Sequence, residues 1–316
     1  MGLTTTKELF WTDSGAPAIS GTAGSFRVAA RDFLEDCGWT VVWENAGAQV
    51  VVLRNSLAVG GSGAFVRIDD SNAQVATFVF YESMSDIDTG TAPTQTYSVV
   101  KASSAGGTPR PYQLIGDERT FYGAILGGNT SVPPAESTAY YGYTSVFGGG
   151  DYIPAIVGDP GIFGTGRTNT GQYYDNELYL IDQTSSPRDA VSTTRNASLT
   201  AETTNIAILN NGAYGGATLN HSGNETGQAF KQSSDRLYTP VYFYHGTMGA
   251  GAVLRGKARG IMLPMNHMAN QFPLIGGSDT PYASPHPKTL RIIQSGCVRN
   301  SKKAALAFHS GEWDNA

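Results

Sequence analysis

The hydrophobic period of the chain changes abruptly at Gly38, and that change limits what the chain can fold into. Before it, Phe26, Ala29, Ala30, Phe33, Leu34 and Cys37 recur at steps of three and four, while Arg27, Arg31, Asp32, Glu35 and Asp36 fall mostly on the other side. That spacing places the apolar residues on one stripe of an α-helix, and Gly38 ends it because glycine enters the left-handed region without strain. After Gly38 the period is two. "WTVVWENAGAQVVVLRNS" reads as strand, turn, strand, and "GAFVRIDDSNAQVATFVFYES" repeats that order around Asp-Asp-Ser-Asn. One amphipathic helix followed by hairpins predicts a mainly β fold, with hairpins in a β-sandwich-like core, one N-terminal helix and long ordered loops.

Regular structure thins past residue 90. "YQLIGDERTFYGAIL", "LYTPVYFYHG", "AVLRGKARGIMLP", "KTLRIIQS" and "AALAFHSGEW" read as short strands, separated by stretches dense in turn residues. The pattern predicts a helix-plus-hairpin domain over 1–126, a Gly/Tyr-rich connection over 127–172 and a second β-rich region over 173–316, with one continuous domain as the alternative. Within the last, 184–236 reads as a long polar loop. It has too few large apolar side chains to offset an ordering cost of about 1–2 kcal/mol per residue within its own subunit, so contact with neighbouring molecules is expected to hold it.

Composition narrows the partners. Only 15% of residues are charged, so the surface is built from Ser, Thr, Asn and Gln together with 39 glycines and 16 tyrosines. The net charge is −5 and basic residues cluster only at "RNSKK" (299–303), which argues against a nucleic-acid partner. No apolar run reaches membrane-spanning length, and "MGLTTTKELFW" has neither a basic nor an apolar leader segment, although its first six residues match a short acylation pattern. A chain made in a cytoplasm, with no membrane partner, is the expectation. Cys37 and Cys297 are too far apart in sequence to suggest a disulfide framework or a zinc site, and read as reduced thiols.

Motifs that carry chemistry match only in part. "SGTAGSF" supplies Gly21 and Gly24 but no strand before them, so it falls short of a dinucleotide fingerprint, and "GDPGIFGTGR" (158–167) lacks the lysine and hydroxyl of a phosphate loop. "GGSGA" (60–64) ends in Ala64 and lies between hairpin strands instead of at a strand-to-helix elbow. His221, His245, His267, His286 and His309 are too widely spaced for a local metal pair. Asp69, Asp70, Glu82, Asp86, Asp88, Asp117, Glu118 and Asp151 are the acids from which a sugar hydrolase could draw a pair, and "DIDTG" (86–90) opens like a calcium loop without completing one. No catalytic, cofactor-binding or metal-binding residue is assigned, and no cofactor is expected.

"TDSGAPAISGTAGSFRVAARDFLEDCGW" resembles the N-terminus of a family of virion structural proteins of tailed double-stranded DNA bacteriophages, in which a small-residue segment leads into an amphipathic helix ending at Gly-aromatic. Further matches follow in order: "VRIDDS" and "FYESMSDIDTG", "RPYQLIGDERTFY", "YGYTSVFGGGDYIPAIVGDPG", "LRGKARGIMLPMNH" and the terminal "GEW". The resemblance implies a non-enzymatic protein of the virion, in the tail, baseplate or neck, whose partners are its own copies and other virion proteins. The alternatives are a capsid decoration protein, a receptor- or carbohydrate-binding particle protein facing a host-surface glycan, and a virion-associated polysaccharide hydrolase.

Overall fold

A computed structural model describes residues 4–126, apart from 92, 94, 95 and 103, and beyond them 144–150, 156–158, 177–178, 191–195, 201–207, 219–220, 238–245, 253–264, 277–279, 290–294, 305–309 and 311–313. In chain order the first elements are β1 (Thr4–Thr5), β2 (Lys7–Phe10), α1 (Ser25–Asp36), β3 (Thr40–Asn45), β4 (Val50–Arg54), β5 (Phe65–Asp69), β6 (Val75–Tyr81), β7 (Ser83–Met84), β8 (Gly90–Thr91), β9 (Tyr97–Val100), β10 (Tyr112–Gly116) and β11 (Thr120–Leu126). There follow β12 (Thr144–Gly150), β13 (Ile156–Gly158), β14 (Glu177–Leu178), β15 (Val191–Arg195), β16 (Ala201–Ala207), β17 (Leu219–Asn220), β18 (Tyr238–His245), β19 (Val253–Pro264), β20 (Gly277–Asp279), β21 (Leu290–Gln294), β22 (Ala305–His309) and β23 (Glu312–Trp313). The fold is mainly β, its sheets are antiparallel, and α1 is the one α-helix among the described residues.

Helix α1 forms where the three-and-four spacing placed it. Its C-terminus closes through Gly38, at φ 97°, whose N–H donates to Glu35 O while Trp39 N–H reaches back to Leu34 O. These two bonds make a Schellman ending and fix the direction in which the chain leaves the helix. The hairpins follow as expected, β3 with β4 and β5 with β6, and β9 completes a five-stranded sheet in the order β3-β4-β5-β6-β9. A second five-stranded sheet runs β13-β12-β11-β10-β2.

Alternation along the strands turns one face of each sheet toward a shared core. Phe78 and Phe80 of β6 meet Phe121 of β11 and Phe147 of β12, with ring centroids 5.4 to 6.5 Å apart. Phe26 of α1 stands edge-on to both Phe78 and Phe147, at 5.4 and 5.2 Å. The helix therefore touches both sheets at once. Phe33, Leu34, Val51, Leu53, Val66, Ile68, Leu114 and Ile125 fill the remainder of this core. Cys37 is buried there as well, and burial pushes its thiol well above the ordinary range, which makes it an inert packing group.

Within 184–236, which reads as a long polar loop, the structure places β15, β16 and β17. β15 and β16 pair with each other in a seven-stranded sheet of order β15-β16-β18-β19-β22-β21-β20. Their sequences, "VSTTR" and "AETTNIA", are polar but rich in β-branched threonine, which favours strands without supplying apolar area. β12 and β13 likewise form within the Gly-rich stretch 142–172 and extend the sheet of β10 and β11.

Residues far apart in sequence close the structure. β1 pairs with β23, Thr4 opposite Trp313 and Thr5 opposite Glu312, and Thr6 N–H donates to Gly311 O. Trp313 is fully buried, with its ring 5.6 Å from that of Tyr122 on β11 and lying over Gly260 of β19.

Phe33 is only 3% exposed. Replacing it with Asp removes a buried aromatic and leaves an unpaired charge in its place, so the fold should lose roughly 3–5 kcal/mol or more in denaturant unfolding. An unchanged unfolding midpoint would show that this helix face is not core.

Candidate functional site

The small-residue segment before α1 falls short of a phosphate-binding motif and reads as a loop that feeds the helix start and packs closely against a neighbour. Its geometry agrees. Gly21 forms an isolated bridge with Gly106, whose N–H donates to Gly21 O at 2.8 Å, and a Cβ at position 21 would run into the Ser104 carbonyl. Two backbones approach each other there. Ser25 closes the segment locally, its Oγ donating to Ser20 O at 2.9 Å and accepting from Ser20 N–H at 3.1 Å.

The helix N-terminus is already occupied. Gly24, at φ 81°, is the N-cap and has no side chain to offer, so the first-turn amides of Phe26 and Arg27 donate instead to Asp70 Oδ2, at 2.8 and 3.0 Å. Asp70 stands just beyond β5, and its own carbonyl accepts from Gly24 N–H at 2.9 Å. Its second oxygen pairs with Lys101 Nζ, which also donates to Thr22 O at 2.7 Å. Asp70 and Lys101 are both fully buried. Burial pushes the Asp70 carboxyl above the usual carboxylate range, against the opposing pull of Lys101 and the two helix amides. The positive end of the helix dipole thus faces a protein carboxylate, where an anion-binding loop would keep it open for a ligand.

Next to this lock, Arg27 pairs with Glu44 of β3 and donates to Gln49 Oε1 at 3.2 Å, while Arg31 reaches the same Glu44 at 3.0 Å. Burial lowers the Arg27 guanidinium from its ordinary value, and the neighbouring Arg31 adds to the shift.

Four of the other acids, Asp117, Asp86, Asp88 and Asp69, are engaged in a similar way. Asp117 is buried in the β10–β11 turn, where its Oδ1 accepts from the amides of Arg119 and Thr120 at 2.9 and 2.8 Å and its Oδ2 from Thr4 Oγ1. Its carbonyl takes the Trp39 indole N–H at 2.9 Å. Asp86 is exposed and caps its own turn, accepting from the amides of Asp88 and Thr89 at 2.8 Å each, bonds that hold its carboxyl below the usual range. Asp88 pairs with Arg67 at 2.9 Å. At Asp69 burial opposes ionisation, but hydrogen bonds from Ser71 and Arg67 outweigh it and lower its pKa.

"DIDTG" therefore uses its oxygens on amides and an arginine. Ser62 of "GGSGA" accepts from Ala64 N–H at 3.3 Å, in a loop between the antiparallel strands β4 and β5. Among the described residues, no three His, Cys, Asp or Glu side chains gather where a metal ion could be held. His245 ends β18 and His309 ends β22; Asp151, His221, His267, His286, Cys297 and nearly all of 158–167 lie outside the described residues.

What the sequence left hidden is the use of Asp70, Lys101, Thr4 and Trp313. The one signal was local: Asp70 breaks the alternation of "VRIDD", so a buried charge directly after a strand could have been asked for its partner. No protein-family model matches the chain, and no curated protein matches it in sequence.

The Asp70–Lys101 pair makes a defined expectation. Asp70→Asn leaves a buried, unpaired ammonium and should cost roughly 3–5 kcal/mol, while the double variant Asp70→Asn/Lys101→Met should recover part of that loss. Lys101→Met should show a pH signature. Because burial already raises the folded-state pKa of Asp70 above its unfolded value, removing Lys101 raises it further. Relative to the unsubstituted protein, that variant should be least impaired in acid and lose stability as pH rises through the folded-state pKa of Asp70. Urea unfolding of both proteins across pH checks the sign, and a variant that gained on the unsubstituted protein with rising pH would contradict the pairing.

Proposed function

We propose that this chain is a non-enzymatic structural protein of a tailed bacteriophage particle, assembled in multiple copies in the tail, baseplate or neck. The observation that carries the reading is the use made of the acids. A glycoside hydrolase needs one carboxyl to deliver a proton and another to attack or activate water across the scissile bond. Here Asp70 and Asp117 are buried and hold backbone amides, Asp86 caps its own turn, and Asp69 and Asp88 bind Arg67. These five side chains are spent on rigidity. The ordered run of motifs from "TDSGAP" to "GEW" supports the virion assignment, and the low charge content of a chain with many glycines and tyrosines suits broad contacts between subunits. Its partners are then its own copies and other virion proteins, and its place is the particle.

Mass spectrometry of purified particles should find the chain at a fixed stoichiometry, and labelled antibody should mark one location by electron microscopy. Asp86→Asn should change no activity of those particles toward cell-surface polysaccharide. Absence of the chain from particles, or polysaccharide cleavage that disappears with Asp86→Asn, would overturn the reading.

A further inference from the structure

The buried Asp70–Lys101 contact is poorly satisfied as an ion pair. Both side chains are fully buried, Asp70 directly after β5 and Lys101 directly after β9. The ammonium carries three protons, and among the described residues it meets Thr22 O at 2.7 Å and Asp70 Oδ1, so one proton has no acceptor. Oδ1 lies against Nζ without an aligned hydrogen bond, while Oδ2 accepts from the Phe26 and Arg27 amides at 2.8 and 3.0 Å. Two desolvated charges with unmatched polar atoms are costly in a protein interior.

Joined as an amide, the same atoms would be satisfied. One N–H would remain on Nζ, facing Thr22 O, and one carbonyl oxygen, Oδ2, facing the two helix amides. Neither residue would then keep a charge in the core.

The setting also favours the reaction. Asp70 is fixed by its N–H on Gln49 O and its carbonyl on Gly24 N–H, both at 2.9 Å, and Lys101 by its N–H on Gln74 O at 2.9 Å. Groups held together by their own backbones react as parts of one molecule, without the entropy cost of an encounter. The helix amides stand on the oxygen where negative charge develops when an amine adds to a carboxyl, as the donors of an oxyanion hole do. Burial raises the Asp70 carboxyl above its ordinary range, which favours the acid form that condensation needs.

We propose that Lys101 Nζ and Asp70 Cγ condense into an isopeptide cross-link within the folded chain, with the ion pair as its precursor. Nζ passes one proton to Oδ1, leaving an amine beside a carboxylic acid. The amine attacks Cγ, the C–N bond forms, and the carbonyl electron pair moves onto Oδ2, where the Phe26 and Arg27 amides hold it. Oδ1 takes a second proton from the attacking nitrogen and leaves as water while the carbonyl re-forms. No oxidant or other reactant enters. In the sheet β6 lies between β5 and β9, so the bond ties the ends of two strands that are not neighbours and closes β6 to β9 into a covalent loop beside the start of α1.

Mass spectrometry of the full-length chain, purified in its folded state, reads the bond directly. The intact chain should be lighter than its sequence by one water, about 18 Da. Trypsin then locates the loss. Cleavage after Arg67 and an unmodified Lys101 releases 68–101, whereas an acylated Lys101 is not cut and, because Arg110 precedes Pro111, the product runs on to Arg119. The expected product is therefore 68–119, one water light, with fragmentation placing the loss on Asp70 and Lys101 together. Lys101→Arg keeps a cation opposite Asp70 but offers no amine, and should have its full sequence mass. Full mass in the folded wild-type chain would overturn the proposal, as would a lost water in a chain that trypsin still cuts after Lys101, or one that persists in Lys101→Arg. A Lys101→Arg chain that fails to fold changes neither wild-type reading. The bond needs the fold alone, so its absence leaves the proposed particle role standing.

Discussion

Helix α1 begins without a side-chain cap of its own, so its first amides need an acceptor from elsewhere, and Asp70 supplies it from the far end of β5. That carboxylate joins the helix start, the glycine segment before it and Lys101 after β9 into one buried contact. A helix of twelve residues is marginal alone in water. Its position here is set by a charge held on another element, and Phe26, one residue into the helix, is thereby aimed at both sheets.

From that point the packing follows. Phe26, Phe78 and Phe147 meet mostly edge to face, and Phe121 carries the contact across to Phe80 and Trp39. Edge-to-face rings add directional preference to area burial, so they specify how the two sheets sit on each other as well as holding them together. Asp70 fixes the start of the helix, and Asp117 and Asp86 each fix a turn.

How much of this could be read from the sequence depends on distance along the chain. The helix, its stop at Gly38 and the hairpins β3–β4 and β5–β6 are local, and the switch in period announces them. The strands β15 and β16 were missed because their residues are polar, and threonine signals a strand only through its branched side chain. Asp70 was visible as an acid but not as a cap, because the amides it holds lie more than forty residues earlier. Thr4 and Asp117 meet across 113 positions, and nothing in either neighbourhood points to the other. The glycines before α1 fell short of any phosphate motif in the sequence, and the placement of Gly106 and Asp70 shows what they pack against.

The pairing of Thr4–Thr5 with Glu312–Trp313 bears on how the molecule carries load. Thr4 stands opposite Trp313, so tension applied outward through those two residues acts at one end of a two-residue antiparallel pair. Its hydrogen bonds then break one after another, as a zipper opens, where a sheared pair would resist with all of them together. The buried Trp313 ring is the catch on that zipper, seated against Tyr122 and Gly260. A pull through Thr4 and Trp313 therefore meets the seated Trp313 ring and the Thr4–Asp117 hydrogen bond before it reaches the rest of the two-sheet core.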